Sequence, residues 1–498
     1  MSENDGGFFE QVQGKINPVA VKYFYGPRFE NAHTSFGYLL QVMKAHAVMI
    51  HKQGIISGKV AGQLLRAMQE WDNTVPELDP RLEDLYLNFE HLLTARVGAD
   101  VCGQLPVARS RNDVEAAMWR IELRESLFTL ADSLHHMITI LHERIKETAG
   151  FVFPGYTYGQ QAQPITVGHH LLGIAAAFLR DLERILACVD RFNLNPLGAA
   201  AFCGSSYPID RKLTARLLGF DEVWDHTGDA VVSADYMLEA SNAALMSLIT
   251  HARLAEDIIY WCSNEAGFAD LPNDLIDSSS IMPQKRNPVI CATVRVQARI
   301  YAGRYAGICT ASSVGYYASR DVTVAWGDVL ETIREATGMG LISAEYTKGL
   351  IFKKEAMEQA LYKGFSNATE LSDSLVMQGG LPFRTAHTIV GGAISQLFNA
   401  GKGQDDLTWE LLDEWSKKVA GRELPLTKEQ VAQAKDFRTD VERRVCQGGT
   451  SQKEIQRMLE LQRQAKADSE KRFAERRDRW KAADALLRTQ ASEIMDNN

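Results

Sequence analysis

Between residues 114 and 149 the chain carries neither Gly nor Pro, and Leu123, Leu127, Leu130, Leu134, Met137 and Leu141 recur at spacings of four and three. This is the apolar seam of an α-helix packed in a bundle. A straight helix over that stretch runs roughly 54 Å at about 1.5 Å per residue. Asp113 stands just before it, where an N-cap belongs. The same patterning predicts helices over 166–193, over 229–266 (again without Gly or Pro), near 289–312 and near 321–346. Five long helices in mid-chain predict an elongated bundle.

The flanks read differently. Before residue 113 there are shorter helical segments around His46 and Leu65, followed by irregular chain. After Gly364 the helices shorten and are broken by Gly379-Gly380-Leu381-Pro382 and by Gly448-Gly449. The expected architecture is all-α in three units: an N-terminal helical domain over 1–113, a central long five-helix bundle over 114–364, and a C-terminal helical domain over 365–498. From about Lys453 the sequence is rich in Lys, Arg, Glu and Gln with periodic apolar residues, the pattern of a solvated amphipathic helix.

Composition narrows the function classes. In 498 residues there are only 14 prolines, which leans helical, and 54 Lys+Arg against 63 Asp+Glu give a net charge of −9. That balance argues against nonspecific binding of nucleic acid or of an anionic membrane surface. No apolar run reaches membrane-spanning length, and the acidic start Met1-Ser2-Glu3-Asn4-Asp5 is unlike a secretory signal. Seven scattered cysteines without a C-x-x-C pair predict reduced thiols in a cytoplasmic protein rather than a disulfide framework or a zinc site. The His135-His136 and His169-His170 pairs lack metal-ligand spacing and read as packing or surface groups. Glu239 and Glu256-Asp257 read as bundle salt bridges. With no glycine-rich phosphate loop, neither a nucleotide nor any other cofactor or metal is expected.

Three polar loops carry candidate chemistry. Ala108-Arg109-Ser110-Arg111-Asn112-Asp113 sets cations and an amide at a helix start, which suits a carboxylate but, taken alone, reads more readily as a charged helix cap. Gly155-Tyr156-Thr157-Tyr158-Gly159-Gln160-Gln161-Ala162-Gln163-Pro164 is rich in hydroxyls and amides, and by itself reads also as a polar turn. The third, Ser278-Ser279-Ser280-Ile281-Met282-Pro283-Gln284-Lys285-Arg286-Asn287-Pro288, crowds hydroxyls, cations and a carboxamide between two helices. Removing a proton while holding a developing anion needs such groups side by side.

This last run resembles the signature loop of the fumarase/aspartase superfamily, in the form carried by argininosuccinate lyases. The other two loops are similar to the same pattern, in the same order. So are Asn195-Pro196-Leu197-Gly198-Ala199, Tyr207-Pro208-Ile209-Asp210-Arg211, Pro382-Phe383-Arg384-Thr385-Ala386-His387 and Arg443-Arg444-Val445 with Gly448-Gly449. The likeness extends from about residue 40 to 460. It implies cleavage of a C–N or C–O bond beta to a carboxylate with release of fumarate, and a homotetramer whose sites each draw loops from three chains. Carried over by position, Ser279 is the expected base, Lys285 and Asn287 hold the carboxylate, and Arg111, Asn112 and Thr157 bind the fumarate half. Ser280 supports the loop, and Gln163 joins the substrate-binding set. The bundle geometry agrees with shared sites, because one long helix separates the Arg111 loop from the Tyr158 loop.

The chain also departs from the family pattern. The general-acid histidine falls at Tyr158 and the glutamate that orients it at Ala292. A further family histidine falls at Tyr86, and the glycine before the serine pair at Ser278. The positions that hold the arginine half read approximately Ala318 or Ser319, Thr323 and Trp326, and the Arg before an Asp-aromatic pair is Ala234. The leading expectation is therefore a cofactor-independent C–N lyase acting on an N-substituted aspartate, with Tyr158 assisting departure of the amine. Two alternatives are a true argininosuccinate lyase and a catalytically inactive, crystallin-like structural protein of the same fold. A secondary amine on an aspartate, with a pKa of roughly 10, is protonated at neutral pH and can leave without a dedicated acid.

Overall fold

The computed structural model describes residues 16–29, 32–315 and 325–498. Three principal helices precede the bundle: α1 (Ala32–Lys52), α2 (Gly58–Gln69) and α3 (Leu85–Val97). The bundle consists of α4 (Arg111–Thr148), α5 (Val167–Phe192), α6 (Asp235–Trp261), α7 (Val289–Ala311) and α8 (Trp326–Gly349). α4 packs against α5 and α8, and α6 against α5, α7 and α8. Leu123, Leu127, Leu130, Leu134, Met137 and Leu141 are fully buried in this core, as their spacing requires. The expectation of an all-α chain with a long five-helix bundle holds.

Two boundaries differ from expectation. α4 begins at Arg111, capped by Ser110, while Asp113 closes a capping box from inside the first turn. The predicted helix over 229–266 is split: a short helix at Thr227–Val232 ends at Ser233, and α6 starts at Asp235. Buried Arg120 of α4 intrudes there. Its guanidinium lies over the rings of Trp224 and Tyr236 and donates to Ser233 Oγ at 3.1 Å. The start predicted for the last bundle helix, and the substrate-side positions Ala318, Ser319 and Thr323, lie outside the described residues.

The C-terminal region holds α9 (Ala368–Met377), α10 (Phe383–Asn399) and α11 (Trp409–Ala420) around a core of its own that includes Leu371, Ile389 and Leu412. α12 (Gln452–Asp496) then returns along the bundle. Its Ile455, Leu459, Phe473 and Trp480 join the bundle core, and its Leu487, Ala491 and Ile494 join the core of α1–α3. Arginines pin its outer face: Arg472 to Glu183, Arg476 to Asp190 and Asp221, and Arg477 to Asp132. We propose a division into 1–113, 114–364 and 365–498, in which α12 leaves the C-terminal core and packs on the cores of the other two units. Among the described residues no helix is long and apolar enough to cross a membrane.

Candidate active site

At the N-terminal end of α4, Ser110 N–H donates to Asp113 Oδ1 at 2.8 Å, while Gly198 and Ala200 N–H donate to Asp113 Oδ2 at 2.8 and 3.0 Å. Burial pushes the Asp113 carboxyl up to about 6, with those backbone donors pulling it back. The result is a rigid turn that fixes the two residues before Asp113. Asn112 Nδ2 donates to Ala201 O at 3.1 Å. Arg111 pairs with Asp84, and more distantly with Glu83 at 3.6 Å. Tyr86, where the resemblance implies a histidine, donates its hydroxyl to Glu90 at 2.6 Å and lies under the Arg109 guanidinium. Burial raises that phenol well above its ordinary range.

At the opposite end of α4 the chain forms an antiparallel hairpin, β1 (Val152–Thr157) and β2 (Gln160–Thr166). It turns through Tyr158 and Gly159, at φ 54° and 73°. Two successive positive φ angles are what a two-residue hairpin turn demands, and glycine satisfies that without strain where a tyrosine does not. Tyr158 is fully exposed at the tip. Thr157 and Gln163 are exposed on the flanking strands and line a cavity of about 430 Å³ between the hairpin and the end of α6.

The run 278–288 closes on itself as a short antiparallel pair, β3 (Asp277–Ser278) with β4 (Arg286–Asn287). Lys285 N–H donates to Met282 O at 3.1 Å to close the turn between them. Inside that turn Ser279 Oγ accepts from the backbone N–H groups of Met282 at 3.0 Å and Ile281 at 3.4 Å. Donors aimed at a hydroxyl oxygen favour its ionised form. Ser279 is half-buried, Ser280 and Lys285 are exposed, and Asn287 Nδ2 donates to Asp277 O at 3.3 Å. The residue that sequence reasoning left without a role is Arg286. It reaches Asp270 Oδ1 at 3.2 Å, Asn273 Oδ1 at 2.7 Å and Leu271 O at 2.5 Å, and so ties the loop to the bundle end.

These loops are not brought together in one chain. α4 has 38 residues, so about 57 Å separates the Arg111 turn from the hairpin. The 278–288 loop stands at the hairpin end. Its anchor Asp270 pairs with Ile351, and Arg144, near the end of α4, donates to the neighbouring Leu350 O. No residue of 278–288 lines the cavity beside Thr157. Among the described residues no cluster of His, Cys, Asp or Glu is placed to hold a metal ion. The expected bundle ion pairs are present for Glu239 with Arg191 and for Glu256 with Arg295 at 3.0 Å, while Asp257 is hydrogen-bonded to His170 at 2.9 Å.

The chain is similar to known proteins over most of its length. A lyase family model matches residues 29–302, and an argininosuccinate lyase C-terminal model matches residues 365–442. Argininosuccinate lyase of Methanothrix thermoacetophila is 36% identical over 445 residues, covering 88% of this chain and 89% of that protein. Argininosuccinate lyase 1 of Shouchella clausii is 30% identical over 464 residues, covering 92% and 93%. Among solved structures, EDDS lyase in complex with formate superposes with a TM-score of 0.86 at 26% identity, over 98% of this chain and 97% of that one. With this sequence likeness running nearly end to end over a superfamily-type bundle, the chain belongs to the argininosuccinate lyase-like carbon–nitrogen lyases of the fumarase/aspartase superfamily.

Proposed function

We propose that the protein eliminates fumarate from an N-substituted aspartate, releasing an amine, and that it can run the reverse addition. The observation that carries the reading is Ser279. Its Oγ sits under two backbone N–H donors in a loop that also presents Lys285 and Asn287. Ionised, Ser279 takes the proton from the carbon beside the carboxylate, and the electron pair moves into that carboxylate as an aci-anion. Lys285 and Asn287 hold the added charge. Collapse forms the C=C bond and breaks the C–N bond, and the nitrogen departs as a neutral amine. Arg111, Asn112, Thr157 and Gln163 bind the substrate, and Ser280 supports the loop.

The nitrogen is a secondary ammonium of pKa roughly 10 before it leaves, so no strong acid is needed. This accords with Tyr158 and Ala292 in the places of the family's histidine and glutamate. Tyr158, held at a strained positive φ on an exposed tip, is where an assisting phenol would stand. The site is completed by other copies of the chain, in a homotetramer. The apolar Val289, Val296 and Ile300 of α7 and Leu341 of α8 lie exposed on the bundle, where further copies would cover them. The unpaired cysteines accord with a reducing, cytoplasmic setting.

A second reading, argininosuccinate as the substrate, is favoured by the named activity of the relatives. One experiment separates them: absorbance in the fumarate band while the protein meets a panel of N-substituted aspartates that includes argininosuccinate and ethylenediamine-disuccinate. Fumarate from a non-arginine member, lowered about 10²–10⁴-fold or more in Ser279→Ala, is the expected result. Turnover of argininosuccinate alone promotes the second reading. Silence with the whole panel, and with fumarate plus amines, would leave a crystallin-like structural protein.

A further inference from the structure

The cavity of about 430 Å³ under the β1–β2 hairpin has an unusual lining for a site that handles dicarboxylates. Among the described residues its lining contains one carboxylate, Asp257, one imidazole, His170, and no Lys or Arg. Its walls are aromatic: Tyr156 and Tyr260 meet edge to face at 5.3 Å between centroids, and Trp261 packs against the His170 ring at 5.2 Å. Trp261 is buried, so this wall is preformed. His170 Nε2 donates to Asp257 Oδ2 at 2.9 Å, which orients the carboxylate and leaves Oδ1 for a ligand.

A carboxylate whose single bonding partner among the described residues is a neutral imidazole, set among π faces, repels a second carboxylate and attracts an organic cation. A receptor for fumarate would need the reverse. Thr157, assigned above to the fumarate half, sits on the rim of this cavity. A fumarate half held at Thr157 would therefore leave the other half of an aminocarboxylate substrate within reach of this cavity. We propose that the hairpin cavity is the subsite for the ammonium-bearing half of the substrate, with Asp257 as its counter-ion, His170 as the residue that positions Asp257, and Tyr156, Tyr260 and Trp261 as its walls. This rests on the lyase reading for the ligand's identity, and it adds the class of amine: one that keeps a positive charge apart from the bond that breaks. The volume lies within the range of small-molecule sites.

The test uses the full-length protein in its native assembly and choline as the probe, since choline carries a cation and cannot enter the reaction. Its neutral carbon isostere, dimethylbutanol, is the control. Saturation-transfer NMR titration should show choline binding at least about tenfold tighter than the isostere, with that preference lost in Asp257→Asn. Tyr260→Ala, which removes one wall from a half-exposed position, should weaken choline severalfold even if Asp257→Asn does not fold. Equal binding of choline and isostere overturns the subsite, as does choline binding unchanged in either variant. In turnover, Asp257→Asn should raise KM for the amine about tenfold and leave KM for fumarate within about twofold. An active lyase with unaltered amine KM and unaltered choline binding removes the subsite and keeps the lyase reading. Choline binding that depends on Asp257, in a protein that releases no fumarate from any substrate, does the opposite.

Discussion

Glu122 shows how a single buried group can set the response of the fold to pH. It lies on α4 and accepts from Ser35 Oγ of α1 at 2.8 and 3.0 Å, one contact to each carboxylate oxygen. Burial pushes its pKa up to about 7, with the Ser35 hydroxyl, the Trp326 indole and Arg334 pulling it back. A raised carboxyl pKa means the folded state favours the protonated form. Its contribution to stability is therefore fully present below the ordinary value of 4.5 and is lost as pH rises through about 7. Glu122→Gln imitates the protonated form at every pH. Urea unfolding should find the variant more stable than the parent by roughly 1–3 kcal/mol at about pH 8, with the difference gone near pH 4. A constant difference at both pH values would show that the carboxyl does not titrate in this window.

Among the elements, the 278–288 hairpin depends on one side chain from its own strand. Arg286 bonds three groups on the preceding segment, two of them side chains and one a carbonyl, so it sets where Ser279 and Lys285 stand. Its pair with Asp270 is substantially solvent-exposed, so little global stability is at stake. Arg286→Ala should lower the rate of fumarate release roughly 10²-fold, since a displacement of about 1 Å costs that much, and shift the unfolding midpoint little. Steady-state rates read beside a urea titration check both halves. The same element shows what the sequence makes legible. Residue types in the loop announce its chemistry, but the clamp by Arg286 requires knowing that Asp270 and Asn273 fold back beneath it. The five long helices are readable because none contains Pro and their apolar positions recur at helical spacing, with α4 and α6 free of Gly as well. The hairpin before α5 is not, because Pro154, Gly155 and Pro164 disrupt any strand pattern and its outward residues are polar. The start of α4 is displaced because Ser110 and Asp113 are both good caps, and only the backbone decides which stands outside the helix.

For the molecule as a whole, length becomes mechanism. α4 carries Arg111 at its first residue, and the hairpin and the 278–288 loop lie at its far end, about 57 Å away. α12 fixes that separation by packing along the bundle core and on into the core of α1–α3, with arginine pairs to α4 and α5 on the way. Folding of one chain therefore cannot bring Arg111 to Ser279. If both groups serve one reaction, each site takes them from different copies of the chain. Arg111→Ala and Ser279→Ala should each be inactive alone. In an assembly formed from both, some sites receive Arg111 from the Ser279 variant and Ser279 from the Arg111 variant, so both groups are intact. Co-expressing or co-refolding the two variants should then restore part of the fumarate-releasing activity, whereas mixing them as separately assembled proteins, without exchange of subunits, should restore none. Were the two groups drawn from a single chain, every site in the mixed assembly would lack one of them, and the mixture would stay as silent as its parts.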